Sequence, residues 1–479
     1  MVRPSKHPGR LHISRTNGMR STMQAMDKDL VQEVSSFYSE NSALFEEIGV
    51  HFKTPQTYLY EYSLRHPGVE MSFLEGNRGL NFAPNKDRYV HRWTKYIEGF
   101  SEEFVFDAFN RFSLEEGNLV LDPFAGSGTV NVCAKMRNLD SVGVEINPTI
   151  CRILRAKTNW RTDPRSILNT YEKLSFDEPA KIEAPQFLRY KKQFNPRILE
   201  NILRIKGQIL HVENTSIRQY LDVAFLSILL PSSNLKRSPS IGYDWDKSET
   251  LEDELPLILF DESIHQIVHD LQYVRNEYDV DASCRVYTAD SKELDLSNEY
   301  AFDAVVTSPP YLNSFDYVGN YKLEIGWLDD ASSTKDLRHL RDRMILCDNV
   351  SRRMIRDYAL RPRLFDHDWL DYIMSAVKPR MTERVGIRRT DYSVLLRKYF
   401  EDIFLVLQNI FGTMRAGGEV AWVVGDSLIL DVYVPTDLLT MEIAETVGFK
   451  PEGIEVGRVR RSGIRRSFKL RESVLYFRK

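Results

Sequence analysis

The sequence predicts an α/β fold organised around a doubly wound, seven-stranded sheet, and three observations lead to this prediction. Short apolar runs at residues 119–122, 141–145 and 302–307 each stop at an acid or a proline turn, which is typical of buried parallel strands. The first run leads into a turn with two glycines, Gly126 and Gly128, and then into a segment of helical character. This order places a ligand at the carboxyl end of the first strand of an open sheet.

The glycine turn has the composition of a ligand-binding loop. Glycine is needed where the backbone approaches a ligand closely, because a Cβ would collide with it. A phosphate-binding P-loop is excluded, since no lysine follows the glycines. The acid at the strand end, Asp122, suits a ligand with amino and hydroxyl groups better than a pyrophosphate. The alternative is an ordinary strand-to-helix turn.

The segment Asp122-Pro-Phe-Ala-Gly-Ser-Gly-Thr129 resembles the S-adenosylmethionine loop of amino-group DNA methyltransferases. Glu145 ends the second predicted strand, where an acid accepts hydrogen bonds from ribose hydroxyls, although it could also be a solvated strand-end carboxylate. Asp290 follows the third predicted strand, where it can accept from the adenine amino group. Residues 91–101 resemble the cofactor-closing segment of the family, with Ser101 capping a helix. The candidate cofactor-binding residues are Asp122, Pro123, Phe124, Gly126, Ser127, Gly128, Thr129, Glu145, Ile146, Asp290, Ser291, Phe100 and Ser101.

Bulk properties limit the possible classes of protein. The chain has 479 residues, 42% hydrophobic content and a net charge of −4, so affinity for nucleic acid must come from local basic clusters. Four scattered cysteines without a C-x-x-C pair argue against a zinc module or disulfide framework and favour a reducing compartment. No apolar run is long enough to cross a bilayer. Residues 1–26 are basic, without acids, and are expected to form a flexible arm.

Four regions are predicted along the chain. Residues 1–85 form a basic arm and helical region, and 86–150 the first part of the catalytic core with the cofactor loop. Residues 151–280 form a helical insertion and possible target-recognition region, with helices at 197–210, 217–230 and 262–277 and a loop at 231–240 carrying Lys236 and Arg237. Residues 281–479 complete the core and contain a helical, arginine-rich insertion at 312–398. No metal site is predicted, although His265 and His269 lie four residues apart.

The resemblance implies the sheet order 3-2-1-4-5-7-6, with the last two strands forming an antiparallel hairpin. The connection at residues 460–469 would then stand beside the target pocket, and charge reversal at Arg465 and Arg466 is expected to weaken DNA binding without changing cofactor affinity. A second basic region spans residues 335–398. Its helices either contact DNA phosphates or form an ordinary solvated face. Its arginines are Arg352, Arg353, Arg356, Arg361, Arg363, Arg388 and Arg389.

The fourth predicted strand ends in Ser308-Pro-Pro-Tyr311. Two prolines fix φ and remove two N–H donors, so Pro309 and Pro310 present carbonyl oxygens on a stiff backbone. An exocyclic amine of a nucleobase is a poor nucleophile, because its lone pair is delocalised into the ring. The Ser308 hydroxyl and the Pro309 carbonyl can accept both amino hydrogens and turn that lone pair toward a methyl donor. Tyr311 can supply an aromatic platform for a base that has left the duplex.

This tetrapeptide resembles the catalytic motif of cytosine-N4 and adenine-N6 DNA methyltransferases, and serine in first place is more typical of the cytosine-N4 branch. The resemblance implies a bacterial or archaeal, cytoplasmic enzyme with S-adenosylmethionine as cofactor, acting on double-stranded DNA beside a cognate restriction endonuclease. The alternatives are an adenine-N6 enzyme, an RNA guanine-N2 methyltransferase and a DNA-binding regulator without catalysis. The recognised DNA sequence, the segment that reads it and the oligomeric state do not follow from the sequence.

Overall fold

A computed structural model of the chain describes residues 53–73, 80–96, 99–237, 240–248, 250–312, 316–345, 351–383, 392–462 and 468–479. The chain divides into two compact units, Met1–His66 and Pro67–Lys479. In the first unit the described residues form helix α1, Pro55–Arg65, which begins where the Thr54 hydroxyl accepts from the amide of Thr57. The predicted basic arm lies outside the described residues.

The second unit contains the remaining described elements. Its strands are β1 Glu70–Phe73, β2 Leu119–Asp122, β3 Asp140–Glu145, β4 Leu235–Arg237, β5 Ile241–Tyr243, β6 Cys284–Thr288, β7 Phe302–Thr307, β8 Met414–Gly425, β9 Ser427–Ile429, β10 Val432–Val434, β11 Lys450–Ser462 and β12 Phe468–Arg478. Its helices are α2 Glu102–Arg111, α3 Thr129–Met136, α4 Pro148–Thr158, α5 Pro164–Tyr171, α6 Tyr190–Gln193, α7 Pro196–Leu210, α8 Thr215–Leu229, α9 Trp245–Ser248, α10 Leu255–Glu277, α11 Tyr317–Asn320, α12 Lys322–Trp327, α13 Thr334–Arg343, α14 Arg352–Ala359, α15 Asp368–Glu383, α16 Tyr392–Thr413 and α17 Thr436–Val447. Short 3₁₀ helices occupy Ala83–Asp87 and His91–Trp93.

Eight strands form the central sheet, in the order β1-β11-β12-β8-β7-β2-β3-β6. Pairing is parallel except where β12 runs antiparallel to β8 and β11. The predicted α/β fold with a mixed sheet is confirmed, but the predicted strand count is one too low. The added strand is β1, which pairs with β11. Its four residues, Glu-Met-Ser-Phe, are exposed or half-buried and lack the apolar run that marks the buried strands.

The parallel strands β6, β3, β2 and β7 end at one edge of the sheet, because parallel neighbours share a direction. Every residue of β7 is buried, as expected for a strand covered on both faces. On one face, α2 and α3 pack apolar side chains such as Phe104, Phe109 and Val130 against the sheet. The helix α2 begins at Ser101, whose hydroxyl accepts from the amide of Phe104, so the predicted cap is confirmed.

Helices α5, α7, α8 and α10 build a second hydrophobic core from the residues between β3 and β6. The predicted helices at 197–210, 217–230 and 262–277 correspond to α7, α8 and α10. The prediction of a loop at 231–240 is wrong in part, because β4 lies within it and pairs with β5. The Arg237 side chain, only 8% exposed, lies with its guanidinium 2.6 Å from Glu324. Strands of three residues carry too little pattern to be recognised from sequence.

The division of the chain at residues 85, 150 and 280 stays a prediction. None of the described helices is both long enough and apolar enough to cross a membrane. The cysteines Cys133, Cys151 and Cys284 are unpaired, whereas Cys347 lies outside the described residues.

Asp270 of α10 anchors the insertion to the segment that precedes the core. Its fully buried carboxylate accepts hydrogen bonds from the amide of Val90 at 2.9 Å, from Arg92 Nε at 3.0 Å and from Trp93 Nε1 at 3.0 Å. A buried carboxylate is tolerated when charge and hydrogen bonds compensate its desolvation, as they do here.

Replacing Asp270 by alanine is therefore expected to lower the free energy of unfolding by about 3–5 kcal/mol, because a partly buried cation and two buried N–H donors lose their acceptor. Urea unfolding followed by circular dichroism measures this. Asp281→Ala is the matched control: that side chain is 83% exposed, 3.8 Å from Arg161, and its loss should cost no more than about 0.5 kcal/mol. Similar losses for both variants would contradict the anchoring role.

Candidate active site

A cavity of about 390 Å³ lies at the carboxyl edge formed by β2, β3, β6 and β7. This volume lies within the range of about 300–1,000 Å³ typical of small-ligand sites. The candidate residues that line it are Asp122, Pro123, Phe124, Gly126, Ser127, Thr129, Glu145, Ile146, Asp290, Ser291, Phe100, Ser308, Pro309, Pro310 and Tyr311. The candidates Ser101 and Gly128 are not among the lining residues. The glycine turn and the proline corner, far apart in sequence, thus face one cavity.

The glycine turn requires both of its glycines for different local reasons. Gly126 has φ +50° and Gly128 has φ +90°, in a region that residues with a Cβ rarely adopt. A Cβ on Gly128 would lie 2.5 Å from Leu154 Cδ1, and a Cβ on Gly126 would lie 2.7 Å from the Tyr96 hydroxyl oxygen. Gly128 therefore allows Leu154 of the helix α4 to pack closely against the turn, whereas Gly126 lines the cavity.

Asp122 joins the cofactor loop to the strand that carries the proline corner. Its Oδ1 accepts hydrogen bonds from the amide of Phe124 at 3.0 Å and from the Thr307 hydroxyl at 2.7 Å. Burial raises the pKa of Asp122 to about 7. Because Thr307 directly precedes Ser308, this bond fixes the start of the proline corner relative to the glycine turn.

Glu145 stands at the end of β3 and closes the other side of the turn. Its Oε2 accepts from the amide of Gly126 at 3.1 Å, and its Oε1 accepts from the amide of Asn147 at 2.8 Å. Burial raises the pKa of Glu145 to about 7. A carboxylate has about four acceptor positions, so these two bonds leave capacity for hydroxyl donors in the cavity.

Asp290 and Ser291 follow β6 and form the third wall. Asp290 is 5% exposed and lies 2.9 Å from the Lys292 ammonium group. The Ser291 hydroxyl donates to the carbonyl of Pro123, which ties this segment to the glycine turn. An acid placed here can accept from an amino group in the cavity.

The proline corner is held from two further elements. The Tyr399 hydroxyl of α16 donates to the Pro310 carbonyl at 3.1 Å, and the Tyr311 hydroxyl donates to Glu472 Oε1 of β12 at 2.7 Å. Burial and the Glu472 carboxylate raise the pKa of Tyr311 well above its ordinary value, so it remains a neutral donor. The corner is therefore preorganised before any ligand enters.

The sequence analysis missed several lining residues of the cavity, including aromatic and charged side chains. Tyr96 and Tyr321 stack with ring centroids 5.9 Å apart, and Tyr96 covers Gly126. Arg458 and Arg460 of β11 and Glu472 of β12 form the remaining polar wall. The two arginines are two residues apart in a strand and so share one face. That alternation was a usable signal, but their contact with Glu472 depends on hairpin register.

The predicted DNA-contacting arginines are only partly described. Arg388, Arg389, Arg465 and Arg466 lie outside the described residues, as does the side chain of Arg352. The other four, Arg353, Arg356, Arg361 and Arg363, are exposed. Arg353 lies 3.6 Å from Asp357, and Arg363 lies 2.6 Å from Asp371. Contact of either basic region with DNA stays a prediction.

Histidines outside the cavity have local partners. His265 Nδ1 lies 2.9 Å from the Asp261 carbonyl, and His269 Nδ1 lies 3.4 Å from Asp270. A separate group, His367, Asp368 and Glu442, brings three potential ligand atoms within 4.8 Å of one another. There, His367 Nε2 lies 2.6 Å from Glu442 and its Nδ1 accepts from the amide of Trp369, so hydrogen bonds already engage both ring nitrogens.

The fold and the cavity define a class: an α/β enzyme that holds a nucleoside-type cofactor at the carboxyl edge of its sheet. A DNA methylase family model, that of the N6 and N4 enzymes, matches residues 89–156. The chain is 26% identical over 428 residues to the type II methyltransferase M.BsoBI of Geobacillus stearothermophilus, covering 80% of this chain and 83% of the relative. It is 24% identical over 454 residues to M.AvaI of Nostoc sp., with coverages of 89% and 90%.

The family model and these relatives support an amino-group DNA methyltransferase, a class of enzyme whose methyl donor is S-adenosylmethionine. These similarities do not separate cytosine-N4 from adenine-N6 enzymes. Among solved structures, an rRNA methyltransferase, AviRa of Streptomyces viridochromogenes, is similar with a TM-score of 0.27 and 10% identity, covering 79% of this chain and 85% of that one. Similarity at that TM-score supports no conclusion.

The residues present suit this cofactor. The half-buried carboxylate of Glu145 and the buried carboxylate of Asp290 can accept from its hydroxyl and amino groups, and Phe100 and Ile146 provide apolar surface for its ring. The backbone at Gly126 carries no side chain that would fill the cavity.

The two glycines with nearly equal φ, Gly128 and Gly117, allow a matched test. Gly117 has φ +91° and open space around its ideal Cβ, so Gly117→Ala should cost only the left-handed strain of about 1–2 kcal/mol. Gly128→Ala should lose about 1–3 kcal/mol more, because its Cβ collides with Leu154. Urea unfolding gives both values. Equal losses in the free energy of unfolding would show that Leu154 can move away from the new Cβ without destabilising the protein.

Cofactor affinity should depend on pH through Glu145. The charged carboxylate is expected to accept hydrogen bonds from the cofactor hydroxyls, and burial raises its pKa to about 7, so affinity should rise as pH increases to about 7 and level off above it. Well below that pKa, cofactor affinity should change by about tenfold per pH unit. Isothermal titration with S-adenosylmethionine from about pH 6 to about pH 8 measures it. In Glu145→Gln this slope should vanish; an unchanged slope would assign the titration to another group.

Proposed function

We propose that this protein is a type II DNA methyltransferase of a restriction-modification system that methylates the N4 amino group of cytosine. The observation that carries the proposal is the shared cavity: the residues of the proline corner line the same space as the residues of the glycine turn. The similarity to M.BsoBI and M.AvaI, both type II methyltransferases, supports the biological setting.

Different residues of the cavity would bind different parts of the cofactor. Glu145 would accept from the ribose hydroxyls and Asp290 from the adenine amino group, while Asp122 supports the glycine turn and Ser101 the helix behind it. The turn itself, with Ser127 and Thr129, would cradle the methionine part of the cofactor. Bound S-adenosylmethionine supplies a methyl group on a positively charged sulfur.

The proline corner would activate the base. The Ser308 hydroxyl oxygen and the Pro309 carbonyl accept the two amino hydrogens, which localises the lone pair on nitrogen. The cofactor, when bound, would supply the methyl group to that lone pair, and the proton that the amine then gives up would pass to water. Rigid acceptors favour this step because positive charge grows on nitrogen beside them, with no reorganisation required.

Cytosine is preferred over adenine because the motif begins with serine, which resembles the cytosine-N4 branch. A duplex hides the amine, so double-stranded DNA is the proposed substrate and the target base must leave the stack. A cognate endonuclease that cuts the same sequence is the proposed partner. Transfer of tritiated methyl to unmethylated genomic DNA and to RNA, followed by nucleoside identification, tests all of this. Label in N6-methyladenine or in RNA would contradict the proposal.

Ser308→Ala should lower kcat for DNA methylation by about 10²–10³-fold, the usual effect of removing one preorganised hydrogen-bond partner of a transition state. Affinity for S-adenosylmethionine should stay unchanged, since Ser308 contacts the target amine. Single-turnover kinetics and cofactor titration measure the two quantities. The control Ser297→Ala removes an exposed hydroxyl after β6 and should leave both unaltered. A loss of cofactor affinity in Ser308→Ala would contradict the proposal that Ser308 contacts the target amine rather than the cofactor.

A further inference from the structure

Arg460 is a cation of the active-site cavity with unused hydrogen-bonding capacity. Its guanidinium carbon lies 5.8 Å from the ring centroid of Tyr311, and the residue lines the cavity. Its Nε is buried, yet has no hydrogen-bond partner among the described residues. The nearest carboxylate oxygen, Glu472 Oε2, is 3.9 Å from this Nε, beyond hydrogen-bond length.

The acceptor that would otherwise satisfy Arg460 is already engaged. Glu472 Oε1 accepts from the Tyr311 hydroxyl at 2.7 Å, and Oε2 accepts from Arg458 Nε. Arg458 stands opposite Glu472 in the register of β11 and β12, whereas Arg460 lies opposite Leu470. The hairpin therefore uses one arginine to fix Glu472 and Tyr311, and leaves the next arginine on the same face as a lining residue of the cavity.

A buried N–H donor without an acceptor costs free energy, so a ligand that supplies acceptors at this point gains affinity. The position of Arg460 beside Tyr311 indicates where those acceptors lie. At 5.8 Å the guanidinium carbon is farther from the ring centre than the about 3.5–4.0 Å of stacked carbons. It nevertheless lies over the ring, within the about 6 Å of a cation–π contact, and so borders the space in which a base stacked on Tyr311 would present its edge.

We propose that Arg460 is a specificity-determining residue that binds the acceptor edge of the target pyrimidine, donating to N3 and O2 of cytosine. This inference rests on the proposed cytosine-N4 activity and deepens it. Ser308 and Pro309 would hold the N4 amino group, and N3 and O2 are the next two atoms along the same edge of the ring. A guanidinium matches two adjacent acceptors with two parallel N–H donors.

The same geometry disfavours adenine. Beside its N6 amino group adenine offers one acceptor, N1, and then a C–H at position 2, so one guanidinium donor would stay unpaired. A buried donor that is left without an acceptor discriminates between two bases more strongly than a missing apolar contact does. A bidentate contact of this kind discriminates bases by about ten- to a hundredfold.

The test combines a protein variant with a base analogue. The full chain, as wild type and as Arg460→Met, is assayed for kcat/KM on duplexes that carry cytosine or 3-deazacytosine at the target position. The analogue keeps the amine and O2 but replaces N3 by C–H. Methionine keeps the apolar stem of the arginine. Arg478→Met is the matched control, since that arginine belongs to the same hairpin but pairs with Glu419 and Glu452 at its far end.

We expect Arg460→Met to lose about ten- to a hundredfold in kcat/KM on cytosine, mainly through KM for DNA, with unchanged affinity for S-adenosylmethionine. The analogue should reduce the wild type by a larger factor than it reduces Arg460→Met, because the variant has already lost the contact to N3. Arg460→Lys should recover only part of the loss, since an ammonium cannot donate in a fork.

Equal analogue factors in the wild type and in Arg460→Met would overturn the inference, as would full recovery by Arg460→Lys or a loss in Arg478→Met of the same size. These outcomes leave the proposed function intact, because they require a wild type that methylates cytosine. A wild type that methylates no cytosine would instead contradict the proposed function, and this inference with it.

Discussion

The hydrogen bond between the Asp122 carboxylate and the Thr307 hydroxyl is the interaction on which the site depends. It is 2.7 Å long and buried, and it joins the ends of two adjacent parallel strands, β2 and β7. The residues that follow these strands are the glycine turn and the proline corner. A methyl donor and a target amine must meet within about 3–3.5 Å and in line for transfer. Fixing the two strand ends to each other therefore fixes the relative position of both halves of the reaction.

The last hairpin supplies the second constraint, from the opposite end of the chain. Within β12, Arg471 makes hydrogen bonds of 2.9 and 2.8 Å to Asp437 at the start of α17, and the Ser473 hydroxyl donates to the same carboxylate. Glu472 lies between these two residues, so its side chain points to the other face of the strand, toward Tyr311. A buried ion pair is costly unless its hydrogen bonds are satisfied. The ion pair between Arg471 and Asp437 fixes the position of β12. It thereby places Glu472 at the cavity, together with Tyr311 and the two arginines.

Prediction from sequence succeeded where residues close together in the chain specify a structure. The strand, glycine turn and helix at 119–136 and the cap at Ser101 were readable from short patterns. It failed for β1, for β4 with β5, and for β9 with β10, which are strands of three or four residues whose pairing depends on neighbours elsewhere. Arg237 illustrates the same limit: its sequence neighbours predict a loop, but its guanidinium donates to Glu324 and to the Asn320 carbonyl, some eighty residues away.

The sequence by itself determined the chemistry at hand: an acid and two glycines after one strand, acids after two others, and a serine with two prolines after a fourth. Those motifs are local, because backbone stiffness, φ preference and acceptor type belong to single residues. Only the tertiary structure decided which residues share the cavity. It added Tyr96, Tyr321 and the Arg458–Glu472–Arg460 wall, since strand register and stacking across distant segments are set by packing of the whole sheet.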